Sequence, residues 1–164
     1  MNTAIHASAV LVGERGVLLR GASGAGKSLL ALTLIDRVRR EAGFAALVAD
    51  DRVWLEAQGG RLVARGAAAT AGVCERRALG LVRAPHERRA VVRLIVDLAP
   101  RTQSPPRIPQ DDGLYVNVCG VRIARLALDM NPGLDAAASS VLAALGEIAD
   151  GMWRKSVGHD AVFA

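Results

Sequence analysis

Aromatic residues are scarce in this chain, at 3% of 164 residues, and the 21 basic residues are scattered rather than gathered into one run. Without stacking rings or a basic stripe, a nucleic-acid-binding module is discounted despite the net charge of +5. Only two cysteines occur, Cys74 and Cys119, far apart and without metal-ligand spacing, so a buried or free thiol is expected rather than a zinc site or a disulfide. No apolar run approaches the ~18 residues of a membrane helix, and the start Met1-Asn2-Thr3-Ala4-Ile5-His6 lacks a basic segment followed by an apolar one. A cytoplasmic protein with no membrane partner is the expectation. Prolines are few, and four of the six fall between Pro100 and Pro109, which predicts an exposed loop without regular structure. Lysines are rarer still: Lys27 and Lys155 are the only two.

One of those lysines lies in the most informative stretch. Gly21, Ala22, Ser23, Gly24, Ala25, Gly26, Lys27 and Ser28 match the P-loop pattern completely. They follow a short apolar strand, Val17 to Arg20, and open a helix from Ser28 to about Arg40, with Leu29, Leu32, Ile35 and Val38 as its apolar stripe and Gly43 as its end. Small residues let the backbone wrap a phosphate closely, and the helix adds its positive N-terminal dipole. Lys27 then reaches the β- and γ-phosphates of a nucleoside triphosphate, and the Ser28 hydroxyl completes a Mg²⁺ shell.

The remaining sequence reads as an α/β domain without repeats, spanning residues 1–155 and followed by a tail at 156–164. His6 to Val12 is an upstream strand joined to Val17–Arg20 by a glycine-flanked turn. Phe44 to Ala49 is a continuous apolar run, read as a buried parallel strand that delivers Asp50 and Asp51 to the carboxyl edge of a sheet. Residues 52–55 and 61–64 form a hairpin around Gly59-Gly60, Ala90–Leu98 is a strand, and Tyr115–Leu128 is one or two strands broken near Gly120. Asn131 is expected to cap a last helix, with Pro132 at its first position.

Transfer of a γ-phosphoryl group needs positioning, charge neutralisation and a proton acceptor. Neighbouring residues in extended backbone point to opposite faces, so Asp50 and Asp51 divide the work. Asp50 is taken as general base and Asp51 as hydrogen-bonding or Mg²⁺-side support, with the reverse assignment left open.

The order of three segments adds a family resemblance. Gly21–Ser28, then Leu47-Val48-Ala49-Asp50-Asp51-Arg52-Val53, then Glu75-Arg76-Arg77-Ala78-Leu79-Gly80 resemble the bacterial HPr serine kinase/phosphorylase family, in particular its short, catalytic-domain-only forms from alphaproteobacteria. The likeness extends to His6-Ala7-Ser8-Ala9-Val10 and to Leu94–Leu98. It implies a single P-loop kinase domain with a phosphoenolpyruvate-carboxykinase-like mixed sheet and flanking helices. It further implies ATP and Mg²⁺ as cofactors and transfer to a serine of the phosphocarrier HPr. The reverse phosphorolysis, in which inorganic phosphate attacks phosphoserine and pyrophosphate leaves, comes with it, as does a homo-oligomer, commonly a hexamer.

On the same resemblance Glu75 is a metal contact beside Ser28, and Arg77 neutralises charge on the transferred group. His6 contacts phosphates or orients an acid, and Arg107, with Arg101 as the alternative, belongs to a phosphate-contacting loop. Two departures stand out: Ala78 occupies a signature glycine position, and Leu134 stands where the family has arginine. Two other classes fit a P-loop: a small-molecule kinase, and a degenerate ATP-sensing module. The intact Lys27, Ser28, Asp50, Asp51 and Glu75 weigh against degeneracy.

Overall fold

A computed structural model describes residues 3–76, 78–100, 102–106 and 113–153. Arg77, Arg101, Arg107 and the expected tail at 156–164 lie outside the described residues. The elements are β1 (Thr3–His6), β2 (Ser8–Val12), β3 (Arg15–Arg20), α1 (Lys27–Arg40), β4 (Ala45–Ala49), β5 (Arg52–Gln58), β6 (Arg61–Arg65), β7 (Val73–Arg76), β8 (Gly80–Arg83), β9 (Arg89–Leu98), β10 (Tyr115–Val118), β11 (Val121–Leu128) and α2 (Leu134–Ala149).

A nine-stranded mixed sheet runs β1-β5-β6-β9-β3-β2-β4, with β11 also pairing β9 and β10 beyond it; β7 and β8 form a separate hairpin. β9 is the axis. Its first residues pair antiparallel with β6, while residues from Val92 onward run parallel to β3 and from Leu94 onward parallel to β11. Both helices pack on one face of this sheet, over Val17, Leu19, Leu94, Val96 and Leu126. The other face is closed by the curl of β5 and β6, which brings Val53, Leu55, Leu62 and Ala64 onto Leu18, Ile95 and Ile123. Alternation along β3 and β9 accounts for both cores: successive residues serve opposite faces.

Several expectations change in detail. The first strand is split at Ala7 into β1, which pairs with β5, and β2, which pairs with β3 and β4. β4 pairs antiparallel with β2 and therefore runs in the same direction as β3; its parallel bonding is confined to a single bridge between Leu47 and His86. Its outer edge is covered by residues 85–87, through Leu47 N–H to Pro85 O at 2.7 Å and Glu87 N–H to Leu47 O at 2.8 Å.

In α1 Leu32 and Ile35 of the expected stripe are buried and Val38 packs on the core, while Leu29 is exposed and Leu30, Ala31 and Leu34 are buried beside them. The helix has two neighbours, the sheet and α2, so its contact face is wider than the stripe that a single partner would select. The helix ends at Arg40 with Ala42, not Gly43, in the left-handed region at φ 57°, and Gly43 N–H then bonds Val38 O at 2.9 Å.

The last helix starts two residues later than expected, with Gly133 as its cap. Asn131 N–H is held by Asp129 Oδ1 at 2.8 Å and Gly133 N–H by Met130 O at 3.1 Å, so residues 130–133 form a turn instead of the first helical turn. Among the described residues no helix is long and apolar enough to cross a membrane.

Candidate active site

Strand register assembles the site. β3 and β4 run the same way, so the loop after β3 and the acids after β4 emerge at one sheet edge. β2 begins opposite the end of β4, with Ala9 facing Ala49, which brings Ser8 to Asp50. β1 ends opposite the start of β5, with His6 facing Arg52, which brings His6 to Asp51.

The loop at residues 21–26 needs its glycines where backbones crowd. Gly21 has φ +152°, and a Cβ there would lie 3.1 Å from the Leu98 Cβ and 3.2 Å from the Leu98 carbonyl oxygen. Gly26, at φ +100°, caps α1 without a side-chain hydrogen bond, and no acidic residue occupies the first turn of that helix. The first turn of α1 thus offers its N–H groups neither a side-chain cap nor a carboxylate of its own.

Lys27 is buried, 5% exposed, and its ammonium is fully engaged: it donates to Gly21 O and Ala22 O at 2.9 Å each and to His6 Nε2 at 3.0 Å. Burial pulls the Lys27 pKa below its ordinary value, and the charges of Asp50 and Asp51 act in the opposite direction. Because the lysine donates to Nε2, the His6 ring carries its proton on Nδ1. That nitrogen lies 2.9 Å from Asp51 Oδ1 and 3.1 Å from Asp51 O.

The two acids differ sharply. Asp50 accepts from Ser8 Oγ at 2.6 Å and Ser28 Oγ at 2.8 Å on Oδ1, and from Cys74 Sγ at 3.0 Å on Oδ2. Asp51 is left-handed at φ 66°, and its side chain is 83% exposed. The break in extended geometry between them turns Asp50 toward the start of α1 and Asp51 toward His6 and solvent. A non-glycine residue in that region is tolerated best when it is Asn or Asp.

Glu75 is exposed on β7 next to Cys74; its charge acts on the thiol and its backbone carbonyl accepts from Cys74 Sγ at 3.8 Å, but among the described residues its side chain makes no hydrogen bond to the Asp50 cluster. No group of three or more His, Cys, Asp or Glu able to cage a metal occurs among the described residues. Ala78 holds φ 68°, the conformation for which glycine is suited, so this turn carries a backbone cost that a glycine would not.

Three participants were not singled out in the sequence. Ser8 is a lone hydroxyl inside an apolar strand, fully buried, and that contrast was a usable signal. Cys74 carried none. The third is a clamp beneath the loop: Arg20, the residue before Gly21, donates Nε and Nη2 to the two oxygens of Asp97 at 2.7 and 2.8 Å, and Arg125 donates Nε to Oδ2 at 2.6 Å. It ties the ends of β3 and β9 to the middle of β11. Burial alone would raise the Asp97 pKa, but the hydrogen bonds and charges of the two arginines outweigh it and hold the carboxyl below its ordinary value.

Stabilisation from a lowered carboxyl pKa is complete above the unfolded value and is lost as pH falls below it. Asp97→Asn is therefore expected to cost about 2 kcal/mol at neutral pH. The difference from the parent should shrink as pH drops through 3.8 and below in denaturant titrations. A gap that stays constant down to pH 3 would contradict the clamp.

Comparison with known proteins follows the same outline. The family model for the HPr serine kinase C-terminal domain matches residues 1–157. An HPr kinase/phosphorylase from Clostridium beijerinckii is 30% identical over 140 residues, covering 80% of this chain and 44% of that protein. One from Clostridium tetani is 40% identical over 83 residues, 51% of this chain and 25% of the relative. The chain thus spans less than half the length of these relatives. The structure of the HPr(Ser) kinase/phosphatase from Coxiella burnetii superposes with a TM-score of 0.71 at 22% identity, over 90% of this chain and 99% of that one, which establishes the shared fold. A family model that matches nearly the whole chain, on a fold of the same kind, leads to one conclusion: the chain belongs to the HPr serine kinase C-terminal domain family.

Proposed function

We propose that this domain is the catalytic part of an ATP-dependent kinase that phosphorylates a serine of HPr with Mg²⁺, and that it also runs the reverse phosphorolysis. The observation that carries the reading is the convergence of Lys27, Ser28, Asp50, Asp51 and His6 at the start of one helix that has neither a side-chain cap nor an acid in its first turn. Free N–H groups, the helix dipole and a buried ammonium together favour a polyphosphate there.

The donor set also suits the metal. The Ser28 hydroxyl and the Asp50 carboxylate, 2.8 Å apart, are hard oxygen ligands, and Mg²⁺ takes one or two such groups plus phosphate oxygens rather than an all-protein cage. Ser28 and Asp50 would hold it, with Glu75 a further contact on the family resemblance. When bound, Mg²⁺ supplies charge neutralisation on the phosphate oxygens.

The geometry favours Asp51 as proton acceptor and Asp50 as the metal-side acid, the reverse of the assignment first taken from the sequence. Asp50 already accepts three hydrogen bonds, whereas Asp51 faces solvent, where the serine of a protein substrate can approach. His6 Nδ1–H orients the Asp51 carboxylate, and Lys27 fixes the ring through Nε2. As the serine oxygen bonds to the γ-phosphorus and the β–γ bridge breaks, the hydroxyl proton passes to Asp51 and ADP leaves. In phosphorolysis Asp51 returns a proton to the departing serine oxygen. Arg77 and Arg107 keep their roles as charge neutraliser and phosphate-loop contact on the resemblance alone, as do the hexamer and the cytoplasmic setting.

The experiment is incubation of the purified protein with HPr, Mg²⁺ and γ-labelled ATP. Acid-stable phosphoserine on HPr is the expected product. Label appearing on a metabolite instead, or ATP binding without transfer, would overturn the reading in favour of a small-molecule kinase or an ATP-sensing module.

A further inference from the structure

Cys74 is buried at 1% exposure on β7, outside the main sheet, and its thiol donates to Asp50 Oδ2 at 3.0 Å. The other carboxylate oxygen receives Ser8 and Ser28. A carboxylate at the end of a strand can rotate about its last bond, and a donor on one oxygen alone does not stop that rotation. Donors on both oxygens do.

If Ser28 turns its oxygen to a metal, Asp50 loses that donor but keeps Ser8 on Oδ1 and Cys74 on Oδ2, so its orientation survives. The thiol is suited to the task by its place: it is buried on β7 and reaches the carboxylate oxygen that neither serine touches.

We propose that Cys74 is a positioning residue, one that acts through Asp50 to present a fixed oxygen to Ser28 and to a nucleotide-bound divalent cation. The inference rests on the metal-side role given to Asp50 in the proposed function, and it concerns the cation response rather than nucleotide contact.

The test measures ATP affinity by calorimetry, with and without Mg²⁺, for the parent, Cys74→Ala, Cys74→Val and Cys74→Ser. Metal-free ATP affinity should stay within about twofold in all four, because the thiol does not face the phosphates. The gain in affinity on adding Mg²⁺ should fall roughly tenfold in the Ala and Val variants, which lack a donor, and recover in Ser, whose hydroxyl donates in the same place.

Full Mg²⁺ gain in the Ala or Val variant overturns the proposal. So does a Ser variant as impaired as Val, which would mean that the site needs the thiol's bulk rather than its proton, and so does a parent without any Mg²⁺ gain. A parent that gains affinity with Mg²⁺ but transfers nothing to HPr removes the proposed function and leaves this inference standing. If the Ala variant fails to fold, the Val and Ser pair decides the outcome.

Discussion

Asp51→Asn is expected to lose phosphoserine formation on HPr by on the order of 10²- to 10⁴-fold, the range a positioned proton acceptor contributes, while ATP affinity stays within about threefold. The substitution is clean for a structural reason. Asp51 holds a left-handed backbone at φ 66°, and asparagine tolerates that region as well as aspartate does, so the turn between β4 and β5 is preserved. Asparagine also accepts the His6 Nδ1–H bond, which leaves the ring and Lys27 in place. What disappears is the capacity to take a proton. Asp50→Asn should behave differently, impairing the response of ATP binding to Mg²⁺ along with transfer. Steady-state kinetics and calorimetry on both variants check the division: if Asp51→Asn turns over normally and Asp50→Asn loses transfer with its Mg²⁺ response intact, the two roles are exchanged.

The second large effect belongs to Lys27. Lys27→Met removes the buried cation and is expected to lower kcat/KM by about 10²- to 10³-fold, comparable to loss of one preorganised charge-stabilising donor. Stability should not follow activity downward. The ammonium is 5% exposed and burial depresses its pKa, so the folded state carries a desolvation cost that a methionine of similar length avoids. The lost bonds to Gly21 O, Ala22 O and His6 Nε2 work in the other direction, so thermal unfolding should give a melting temperature within a few degrees of the parent's, about 2–4 °C per kcal/mol of imbalance. Lys27→Arg should fail to rescue, because a planar guanidinium does not fit a slot bounded by Gly21 O, Ala22 O and His6 Nε2 at about 3 Å. A Met variant that keeps its activity would remove the lysine from the mechanism.

The parts of this molecule that were legible in the sequence are those where local chemistry and tertiary context agree. Residues 21–28 announce their turn through glycines that the backbone requires, with Arg15–Arg20 before it as strand and Lys27–Arg40 leading out of it as helix. Of the apolar run Phe44 to Ala49, Ala45–Ala49 is a strand buried at every residue and delivers the two acids as read, while Phe44 stays exposed before it. Other features depend on register, which composition does not encode. The division of the first strand at Ala7 follows from its two halves pairing with different partners, β5 and then β3 and β4. Asn131-Pro132 has the form of a helix start, but the carboxylate of Asp129 takes the Asn131 N–H and tightens a turn in its place.

The site divides the same way. Lys27, Ser28 and the two acids follow from the pattern, while the opposite orientation of Asp50 and Asp51 depends on one left-handed backbone angle. Ser8, Cys74 and the Arg20–Asp97–Arg125 clamp involve partners 42, 24, 77 and 28 residues apart, joined only once the sheet has formed.

The central claim is that residues 21–28 hold a nucleotide's phosphates beside Asp50 and Asp51. A crystal structure with Mg²⁺ and a non-hydrolysable ATP analogue tests it most directly. The account predicts the β- and γ-phosphates on the N–H groups at the start of α1 and on the Lys27 ammonium, which exchanges its bonds to the loop carbonyls of Gly21 and Ala22 for them, with the metal against Ser28 and Asp50 and the Asp51 carboxylate facing the γ-phosphorus. Phosphates bound elsewhere, or both carboxylates turned away from them, would contradict it.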